Sequence, residues 1–362
     1  MSRPFKIRRF LMPLAWIFGN IARLRRWAYH KGLFRSYKAD IPVICVGNIA
    51  IGGTGKTPHA SFITRCLSER AHVAMLSRGY GRKSKGYVLA NTTPSAELNA
   101  NLIGDEPLLL HQRFPALPLA VAEDREEGIR RLLTFAPDTN VIVMDDAYQH
   151  LSVTPSLRII LTEYARPYFR DYPLPAGRLR EFPDAVRDAD AVLVTKVPDL
   201  STPIDRDDWR QKLGLADCQP LFFTRYTYAL PEPVTEQARN IVLTPDSSIV
   251  LLTGIANPTP LHEHLRQQFR HIQHVRFPDH HNYSESDIQH IRQTYFSNNT
   301  DQPILLTTEK DWMRLQTERL KKNVSLLPVF ILPIEVDFLF ENDRKEFINI
   351  LEHHVRRSEE KN

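Results

Sequence analysis

The sequence predicts an α/β protein in which a mostly parallel sheet is flanked by helices. A second, smaller α/β domain follows it, and a basic amphipathic helix precedes it. Short apolar segments alternate with helical stretches over the first 220 residues, which is typical of a parallel sheet with helices on both faces. A second alternation follows a stretch rich in Pro, Thr and Tyr over 217–244. With 362 residues, the chain is long enough for two domains.

Apolar, β-branched runs predict the strands, and helical periodicity predicts the segments between them. In the first part, strands are predicted near 41–46, 72–77, 118–122, 141–144, 157–161 and 191–195, with a helix over 125–135. In the second part, strands are predicted at 249–253, 273–277, 303–307 and 328–332, with helices at 260–269 and 284–296. The predicted divisions are an N-terminal segment 1–39, a larger domain 40–220, a smaller domain 221–345 and a charged C-terminal tail 346–362.

The composition is that of an ordinary folded protein. Hydrophobic residues make up 42% and charged residues 25% of the chain, which excludes a disordered or collagen-like chain. The three cysteines, Cys45, Cys66 and Cys218, are widely spaced and form no C-x-x-C pair. We therefore expect a reducing compartment, no disulfide framework and no structural zinc.

The excess of basic residues lies in one segment. Ten of the 47 Lys and Arg residues precede Asp40, which is the first acidic residue. The other 37 are outnumbered by 42 acidic residues, although the formal net charge of the chain is +5. The body of the protein is thus mildly acidic, and we expect no nucleic-acid partner.

The segment 1–39 predicts a helix that lies on an anionic membrane surface. Its apolar stretch is too short to span a bilayer and contains Pro13. Beyond Pro13, apolar residues share one helical face, basic residues lie opposite and tryptophans flank them, a pattern typical of interfacial helices. The apolar face comprises Leu14, Ile17, Ile21, Leu24 and Ala28, the basic face Arg23, Arg26 and His30, and the flank Trp16 and Trp27. The alternative is a core-packed helix with solvated arginines.

A strand, a glycine-rich loop and a helix follow one another between 41 and 70. The loop Gly47–Thr57 ends in Gly-Lys-Thr, and Pro58 suits the first turn of the helix. This order is the context required of a phosphate-binding loop, whose backbone N–H groups surround the phosphates at the positive end of a helix. Lys56 is expected to reach the β- and γ-phosphates. The predicted nucleotide-binding residues are Ala50, which replaces the glycine of the strict pattern, Ile51, Gly52, Gly53, Thr54, Gly55, Lys56 and Thr57.

Paired carboxylates end another buried strand. Four apolar residues over 141–144 precede Asp145 and Asp146. Together with the Thr57 hydroxyl, one or both carboxylates are expected to hold Mg²⁺, directly or through water. The sequence therefore predicts hydrolysis of a nucleoside triphosphate or phosphoryl transfer from it.

Two residues that differ from known motifs disfavour some classes of nucleotide-binding protein. Pro198 stands where a guanine-reading motif that begins Thr195-Lys196 requires aspartate, which disfavours GTP. Ile51 stands where ParA-like switch ATPases have lysine. Guanine specificity and a ParA-like switch are therefore both disfavoured.

An ordered set of motifs resembles the tetraacyldisaccharide 4′-kinase family of lipid A biosynthesis, over nearly the whole chain. The motifs are the phosphate loop Val46–Pro58, Leu76-Ser-Arg-Gly-Tyr-Gly-Arg82, Gly104-Asp-Glu-Pro107, Asp145-Asp-Ala-Tyr-Gln-His150, Pro175-Ala-Gly-Arg-Leu-Arg-Glu181, Gly254-Ile-Ala-Asn-Pro258 and Phe277-Pro-Asp-His-His281. The family usually has glycine where this chain has Ala147. The resemblance implies an ATP- and Mg²⁺-dependent kinase at the cytoplasmic face of the bacterial inner membrane. Its acceptor is the 4′-hydroxyl of a tetraacyl disaccharide 1-phosphate, an anionic lipid A precursor.

The resemblance also implies roles for individual side chains. Asp105 is expected to take the proton of the acceptor hydroxyl, and His280, from the smaller domain, to orient it. Because the two residues come from different domains, closure of the domains is expected to complete the active site. Arg125 follows a predicted strand and, from that position, is expected to neutralise the transferring phosphate. Further contacts to the acceptor or its phosphate are expected from Arg78, Tyr80, Glu106, Gln149, Arg180 and Glu181, with a nucleotide or metal contact left open for Gln149 and Arg180.

Two other classes of function remain open on the sequence. A phosphate-loop ATPase that acts as a switch or chaperone on a protein partner has the same loop and carboxylates. A soluble small-molecule kinase has them too. The loops that contain Asp105 and His280, and the N-terminal helix, favour the lipid kinase.

Overall fold

The protein contains two β-sheets. A computed structural model describes residues 8–198, 203–296 and 302–359. The strands are β1 Val43–Gly47, β2 Val73–Ser77, β3 Val88–Leu89, β4 Leu119–Val121, β5 Val141–Asp145, β6 Leu157–Glu163, β7 Ala191–Thr195, β8 Leu221–Tyr228, β9 Glu232–Pro233, β10 Ser248–Thr253, β11 His271–Arg276, β12 Ile304–Thr308, β13 Val329–Leu332 and β14 Ile334–Phe338. Nine form one sheet in the order β14-β8-β7-β6-β1-β5-β2-β4-β3. The other five form a sheet in the order β11-β10-β12-β13-β9.

Helices connect the parallel strands and cover the sheets. They are α1 Met12–His30, α2 Lys56–Ser68, α3 Ala100–Ile103, α4 Asp105–Arg113, α5 Arg125–Phe135, α6 Arg206–Leu213, α7 Thr259–Arg266, α8 Glu285–Ile291, α9 Glu309–Leu315, α10 Glu318–Val324 and α11 Glu341–Glu359. The predicted fold class, a large and mostly parallel sheet flanked by helices with a smaller α/β unit, is confirmed. Among the described residues, no helix is both long and apolar enough to cross a bilayer.

Strand β1 lies near the middle of the large sheet, between β5 and β6, and pairs in parallel with both. All five of its residues are buried, as are those of β5, because helices cover both faces of the sheet. Parallel strands end at the same edge of a sheet. The loop after β1 and the carboxylates that end β5 therefore lie side by side, which is the usual position of a ligand site in such a fold.

The two sheets divide the chain differently from the predicted boundary at residues 220 and 221. Strand β8 pairs in parallel with β7 in the large sheet, and β14 pairs antiparallel with β8 at its edge. The segments 221–228 and 334–338 therefore belong to the large sheet, although the sequence assigned 221–345 to the smaller domain. The alternation of β8 is equally compatible with either sheet, and only its pairing with β7 decides between them.

The C-terminal region also differs from the expectation. Residues 346–362 were expected to form a charged tail, but α11 extends through this region to Glu359. Phe347, Leu351 and Val355, spaced four residues apart, are buried against the core under β8 and β14. Glu352, Asn349 and two histidines lie between them, and charged residues precede and follow this stretch, so the composition concealed a packed apolar stripe.

Helix α1 packs against the protein with its small residues and one arginine. Ala15, Gly19 and Arg26 are buried, and a side chain added at Gly19 would collide with the ring of Phe182. The expected basic face is therefore not free. Arg26 donates to Glu181 at 2.9 Å and to Asp188 at 2.6 Å. Arg23 pairs with Asp184 at 2.8 Å and His30 with Asp188 at 3.0 Å.

The apolar face of α1 points away from the protein. Trp16, Ile21 and Leu24 are 65%, 63% and 63% exposed, and Leu14 and Ile17 are also more than half exposed. The sequence correctly grouped these residues on one face, except Ala28, which is buried. It could not predict that the acidic segment 181–188 would take up the arginines of the other face. The result is an exposed apolar stripe on a helix whose Arg23, Arg26 and His30 side chains pair with carboxylates of the protein itself.

Candidate active site

The phosphate-binding loop is shaped by two glycines and held by the neighbouring strand. Gly52 and Gly55 have φ angles of 120° and 94°, which favour glycine. A Cβ at Gly55 would lie 2.2 Å from the Tyr226 hydroxyl, so no larger residue fits there. The Thr195 hydroxyl of β7 donates to the carbonyl of Thr54 at 2.8 Å. Residues of β7 and β8 thus contact the loop, whose N–H groups lie at the start of α2.

Lys56, Thr57 and the carboxylates that end β5 converge beside this loop. The ammonium of Lys56 lies 3.5 Å from Asp146, and the Thr57 hydroxyl lies 3.4 Å from Asp145. Asp145 is almost fully buried, and its Oδ1 atom has no hydrogen-bond partner in the described part of the chain. Burial, with the neighbouring Glu106 and Asp146 carboxylates, raises the pKa of Asp145 in spite of Lys56.

A buried carboxylate oxygen with no donor is what a divalent cation would satisfy, since its charge stabilises the ionised form. No cluster of three or more His, Cys, Asp or Glu side chains suited to a metal occurs in the part of the chain that the structure describes. An ion beside Thr57 and Asp145 would take its other ligands from nucleotide phosphates and water, which is usual for Mg²⁺. The residues present fit a Mg²⁺–nucleotide.

Asp146 contacts the guanidinium of Arg180 as well as the ammonium of Lys56, and its backbone is in the left-handed region. Its φ angle is 51°, and its side chain accepts a bond from Arg180 at 3.2 Å. Arg180 also donates to Gln149 at 2.9 Å, and Gln149 donates to the carbonyl of Asn48 at 2.7 Å. The predicted residues Asp146, Gln149 and Arg180 are thus brought together. The left-handed residue is Asp146 and not Ala147, so the alanine methyl is accommodated in the core.

Asp105 and His280 meet across the two sheets, but they are not bonded to each other. Asp105 begins α4, and His280 follows β11 with a φ angle of 56°. The Nδ1 atom of His280 lies 3.8 Å from Asp105 Oδ2. Arg314 lies between them and donates to Asp105 Oδ2 from Nε at 2.9 Å and from Nη2 at 2.6 Å. The same Nη2 is 3.0 Å from His280 Nδ1.

A second ion pair crosses the same junction. Glu106, next to Asp105, accepts a bond from Lys310 of α9 at 2.7 Å. Burial alone would raise the pKa of Glu106, but Lys310 and Lys56 lower it below its usual range. Glu106 therefore stays ionised and adds a negative charge between the Lys56 and Lys310 ammonium groups. The predicted residue Tyr80 is exposed, and its ring lies edge-on to His280 with centroids 6.2 Å apart.

Two predicted contact residues have other partners in this structure. Glu181 is buried against Arg26 of α1, so it anchors the N-terminal helix. Arg125 is fully buried and donates to the backbone carbonyls of Ser77 and Ala122. Burial, with the nearby Arg78 guanidinium, lowers the pKa of Arg125 to about 10. Its Nε and Nη2 atoms have no partner among the described residues, whereas Arg78 is exposed.

Three basic residues near the site were not singled out from the sequence. In the sequence, Lys196 stands only in an incomplete guanine-reading motif. In the structure, its ammonium contacts the carbonyl of Gly53 and pairs with Glu163 at 2.6 Å. Lys310 and Arg314 lie on α9, directly after β12. The available signal for Lys310 was the polar run Thr307–Asp311 at a strand end, the same kind of signal that marked Asp145, whereas Arg314 lies beyond this run.

The comparisons with known proteins agree with this geometry. The sequence model of the family described as Tetraacyldisaccharide-1-P 4′-kinase matches residues 7–356. A Bacteroides thetaiotaomicron protein named tetraacyldisaccharide 4′-kinase is 39% identical over 354 residues, which are 94% of this chain and 92% of that protein. A Phocaeicola vulgatus protein of the same name is 40% identical over 349 residues, covering 95% and 94%.

A solved structure supports the same conclusion. LpxK from Aquifex aeolicus, crystallised in complex with ATP, is 26% identical to this chain and has a TM-score of 0.71. The similarity covers 95% of this chain and 99% of the Aquifex chain. The whole-length family match and the two relatives near 40% identity agree with that structural likeness. The chain therefore belongs to the tetraacyldisaccharide-1-phosphate 4′-kinase family.

Proposed function

We propose that this protein transfers the γ-phosphoryl group of ATP to the 4′-hydroxyl of a tetraacyl disaccharide 1-phosphate, a lipid A precursor. The observation that carries the proposal is a junction of two groups of residues at one edge of the large sheet. The phosphate loop with Lys56 and Asp145 supplies a nucleotide site. Asp105, 3.8 Å from His280, supplies a carboxylate at which an acceptor hydroxyl can bind.

On the nucleotide side, Lys56 and the N–H groups of the loop would bind the β- and γ-phosphates. Thr57 and Asp145 would hold Mg²⁺, with Asp146 close enough to bind through water. The ion supplies charge neutralisation on the phosphate oxygens when it is bound. Lys56 supplies further positive charge from a side chain that is 10% exposed, where the low surrounding polarity strengthens the interaction.

On the acceptor side, Asp105 would accept the proton of the sugar hydroxyl. Its Oδ2 atom is occupied by Arg314, and among the residues that the structure describes its Oδ1 atom accepts only the N–H of Glu106, at 3.0 Å. A carboxylate oxygen has two lone pairs, so Oδ1 has capacity for the hydroxyl. A positioned base of this kind contributes about 10² to 10⁴ in rate. His280 reaches the site from the smaller sheet, so the relative position of the two sheets sets the geometry of the acceptor.

The exposed face of α1 suits an enzyme whose acceptor resides in a membrane. Its stripe of Leu14, Ile17, Ile21 and Leu24, flanked by Trp16, presents apolar groups that a bilayer interface can bury. We propose that the protein binds the cytoplasmic face of the inner membrane peripherally through this stripe. The free cysteines and the use of ATP are in keeping with that compartment. We propose no nucleic-acid partner, because Arg23 and Arg26 of α1 are paired with Asp184, Glu181 and Asp188.

The proposed activity is tested by incubating the protein with ATP, Mg²⁺ and the tetraacyl disaccharide 1-phosphate in mixed detergent micelles. We expect one phosphate to be added to the lipid, on the 4′-oxygen, as located by NMR of the product. A matched acceptor whose 4′-hydroxyl is methylated should gain none. Phosphorylation of the methylated acceptor would contradict the proposed position. ATP hydrolysis without lipid product under any acceptor condition would instead favour an ATPase switch that acts on a protein.

Replacing Ile21 and Leu24 with glutamate should release the protein from vesicles of anionic phospholipid. The change places two charges in the stripe that is proposed to enter the interface, while Arg26 and its partners keep α1 attached to the protein. Co-sedimentation with vesicles measures binding, and we expect at least about a tenfold weaker association. Leu230→Glu is the matched control, since Leu230 is also apolar and 82% exposed but lies outside α1. Equal retention of the α1 variant and the control on vesicles would show that the stripe is not the membrane contact.

A further inference from the structure

Arg314 is held at the junction of the two sheets by bonds from all three of its guanidinium nitrogens. Nε and Nη2 both donate to Asp105 Oδ2. Nη1 donates to the carbonyl of Gly254 at 2.9 Å and to Asp311 at 3.1 Å. The residue is 7% exposed. A buried arginine with this many fixed partners has one orientation, since the guanidinium is planar and its donors form a rigid fork.

The partners of Arg314 are themselves fixed. Asp311 is fully buried and accepts the Gly254 N–H at 3.0 Å and the Thr308 hydroxyl at 2.8 Å. The carbonyl of Gly254 also accepts the backbone N–H of His280 at 3.1 Å. The loop after β10, the loop that contains His280 and the start of α9 are therefore bonded into one unit. Arg314 extends from this unit to Asp105 on α4.

The contact with His280 determines which nitrogen of the imidazole bears a proton. Arginine can only donate, so Nη2 can bond to His280 Nδ1 only when Nδ1 is unprotonated. The proton of the neutral ring then lies on Nε2. The side chain of His280 is 48% exposed, so its Nε2–H can reach a bound acceptor. One guanidinium nitrogen thus orients both the carboxylate and the imidazole.

We propose that Arg314 is a positioning residue of the phosphoryl-transfer site. It holds Asp105 Oδ2, so that Oδ1 faces the acceptor hydroxyl, and it holds His280 as the Nε2–H tautomer. The effect of Arg314 on kcat rests on the proposed function, whereas its effect on the tautomer of His280 does not. The expected pair of Asp105 and His280 is therefore a group of three residues, in which Arg314 contacts both of the others.

The test compares Arg314→Met with Arg113→Met, which is matched in position. Arg113 also links α4 to α9, through a partly buried ion pair with Glu309 whose Nε–Oε1 distance is 2.8 Å, but it does not contact Asp105 or His280. We expect Arg314→Met to lower kcat for lipid phosphorylation about 10²-fold, because misplacing a reacting group costs about that much. The KM for ATP should stay within about twofold, as should kcat of Arg113→Met. Equal kcat losses in the two variants would overturn the proposal, since the role of Arg314 would then be that of any interface ion pair.

A second readout does not depend on activity. In ¹⁵N NMR spectra, with His280→Ala to assign the signal, His280 of the wild-type protein should be the Nε2–H tautomer. In Arg314→Met a mixture with the Nδ1–H form is expected, and an unchanged tautomer would overturn the proposal. Should the methionine variant fail to fold, Arg314→Lys keeps the charge. It should still lower kcat more than tenfold, because an ammonium cannot bond Asp105, Gly254 and His280 together. If the wild-type protein phosphorylates no lipid, the proposed function fails, while the tautomer still decides the role of Arg314.

Discussion

Replacing Lys56 with alanine is expected to lower the rate of phosphoryl transfer by about 10³-fold, because it removes a preorganised positive charge from the γ-phosphate. Lys56 is the first residue of α2, and its ammonium is held 3.5 Å from Asp146 at the end of β5. Negative charge spreads over the γ-phosphate oxygens in the transition state, so the loss falls on kcat more than on binding. No other lysine lies in the phosphate loop between 47 and 57.

The measurement is single-turnover transfer from ATP to the lipid acceptor, with ATP affinity determined separately. Lys83→Ala serves as the control, since Lys83 is exposed and its backbone N–H alone is bonded to the protein. Near-normal transfer by the Lys56 variant would show that the loop does not bind the transferring phosphate. That result would remove the nucleotide site from this edge of the sheet.

Replacing Asp105 with asparagine should lower kcat by about 10² to 10⁴ while ATP affinity stays within about twofold, because a general base acts on the acceptor and not on the nucleotide. Asparagine preserves the size of the side chain and can still accept a bond from Arg314 through its oxygen. It cannot take a proton from the sugar hydroxyl. The change therefore separates proton transfer from the packing at the start of α4.

Raising Mg²⁺ distinguishes a base from a metal ligand. Asp145→Asn is the matched variant, since Asp145 has a buried oxygen without a partner and lies beside Thr57. Excess Mg²⁺ should partly restore Asp145→Asn and leave Asp105→Asn unchanged. Strong rescue of Asp105→Asn would make that residue a second metal ligand. Combining Asp105→Asn with His280→Ala should cost less than the product of the two single effects, because both residues act in one step.

Much of the large sheet and the nucleotide half of the site could be predicted from the sequence. Strand β1, the phosphate loop and α2 are contiguous, so their hydrophobic runs, glycines and Gly-Lys-Thr end reveal one local structure. Asp145 follows a buried strand for the same reason. Because parallel strands end at the same edge of a sheet, the loop and Asp145 could be expected to lie together at that edge. Asp105 and His280 had weaker local signals, and the family resemblance rather than the residue pattern singled them out.

Features that depend on contacts between distant segments of the chain could not be predicted from local sequence patterns. The sequence contained the amphipathic pattern of α1, but the acidic partners of Arg23 and Arg26 lie about 160 residues away. The assignment of β8 to the large sheet depends on its register with β7, and the buried stripe of α11 depends on the core it covers.

The sequence by itself determined the fold class, the phosphate loop and the family, because these follow from local spacing and ordered motifs. The tertiary structure alone decided that Arg314 lies between Asp105 and His280, 209 residues from the first. No periodicity marks such a residue, since its position is set by the packing of α9 on α4 and by buried donors that must find acceptors. The structure likewise decided that the arginines of α1 face the protein and its apolar side chains face outward. In both cases a buried arginine, Arg314 or Arg26, is paired with carboxylates of the protein, and that pairing fixes the orientation of the chain around it.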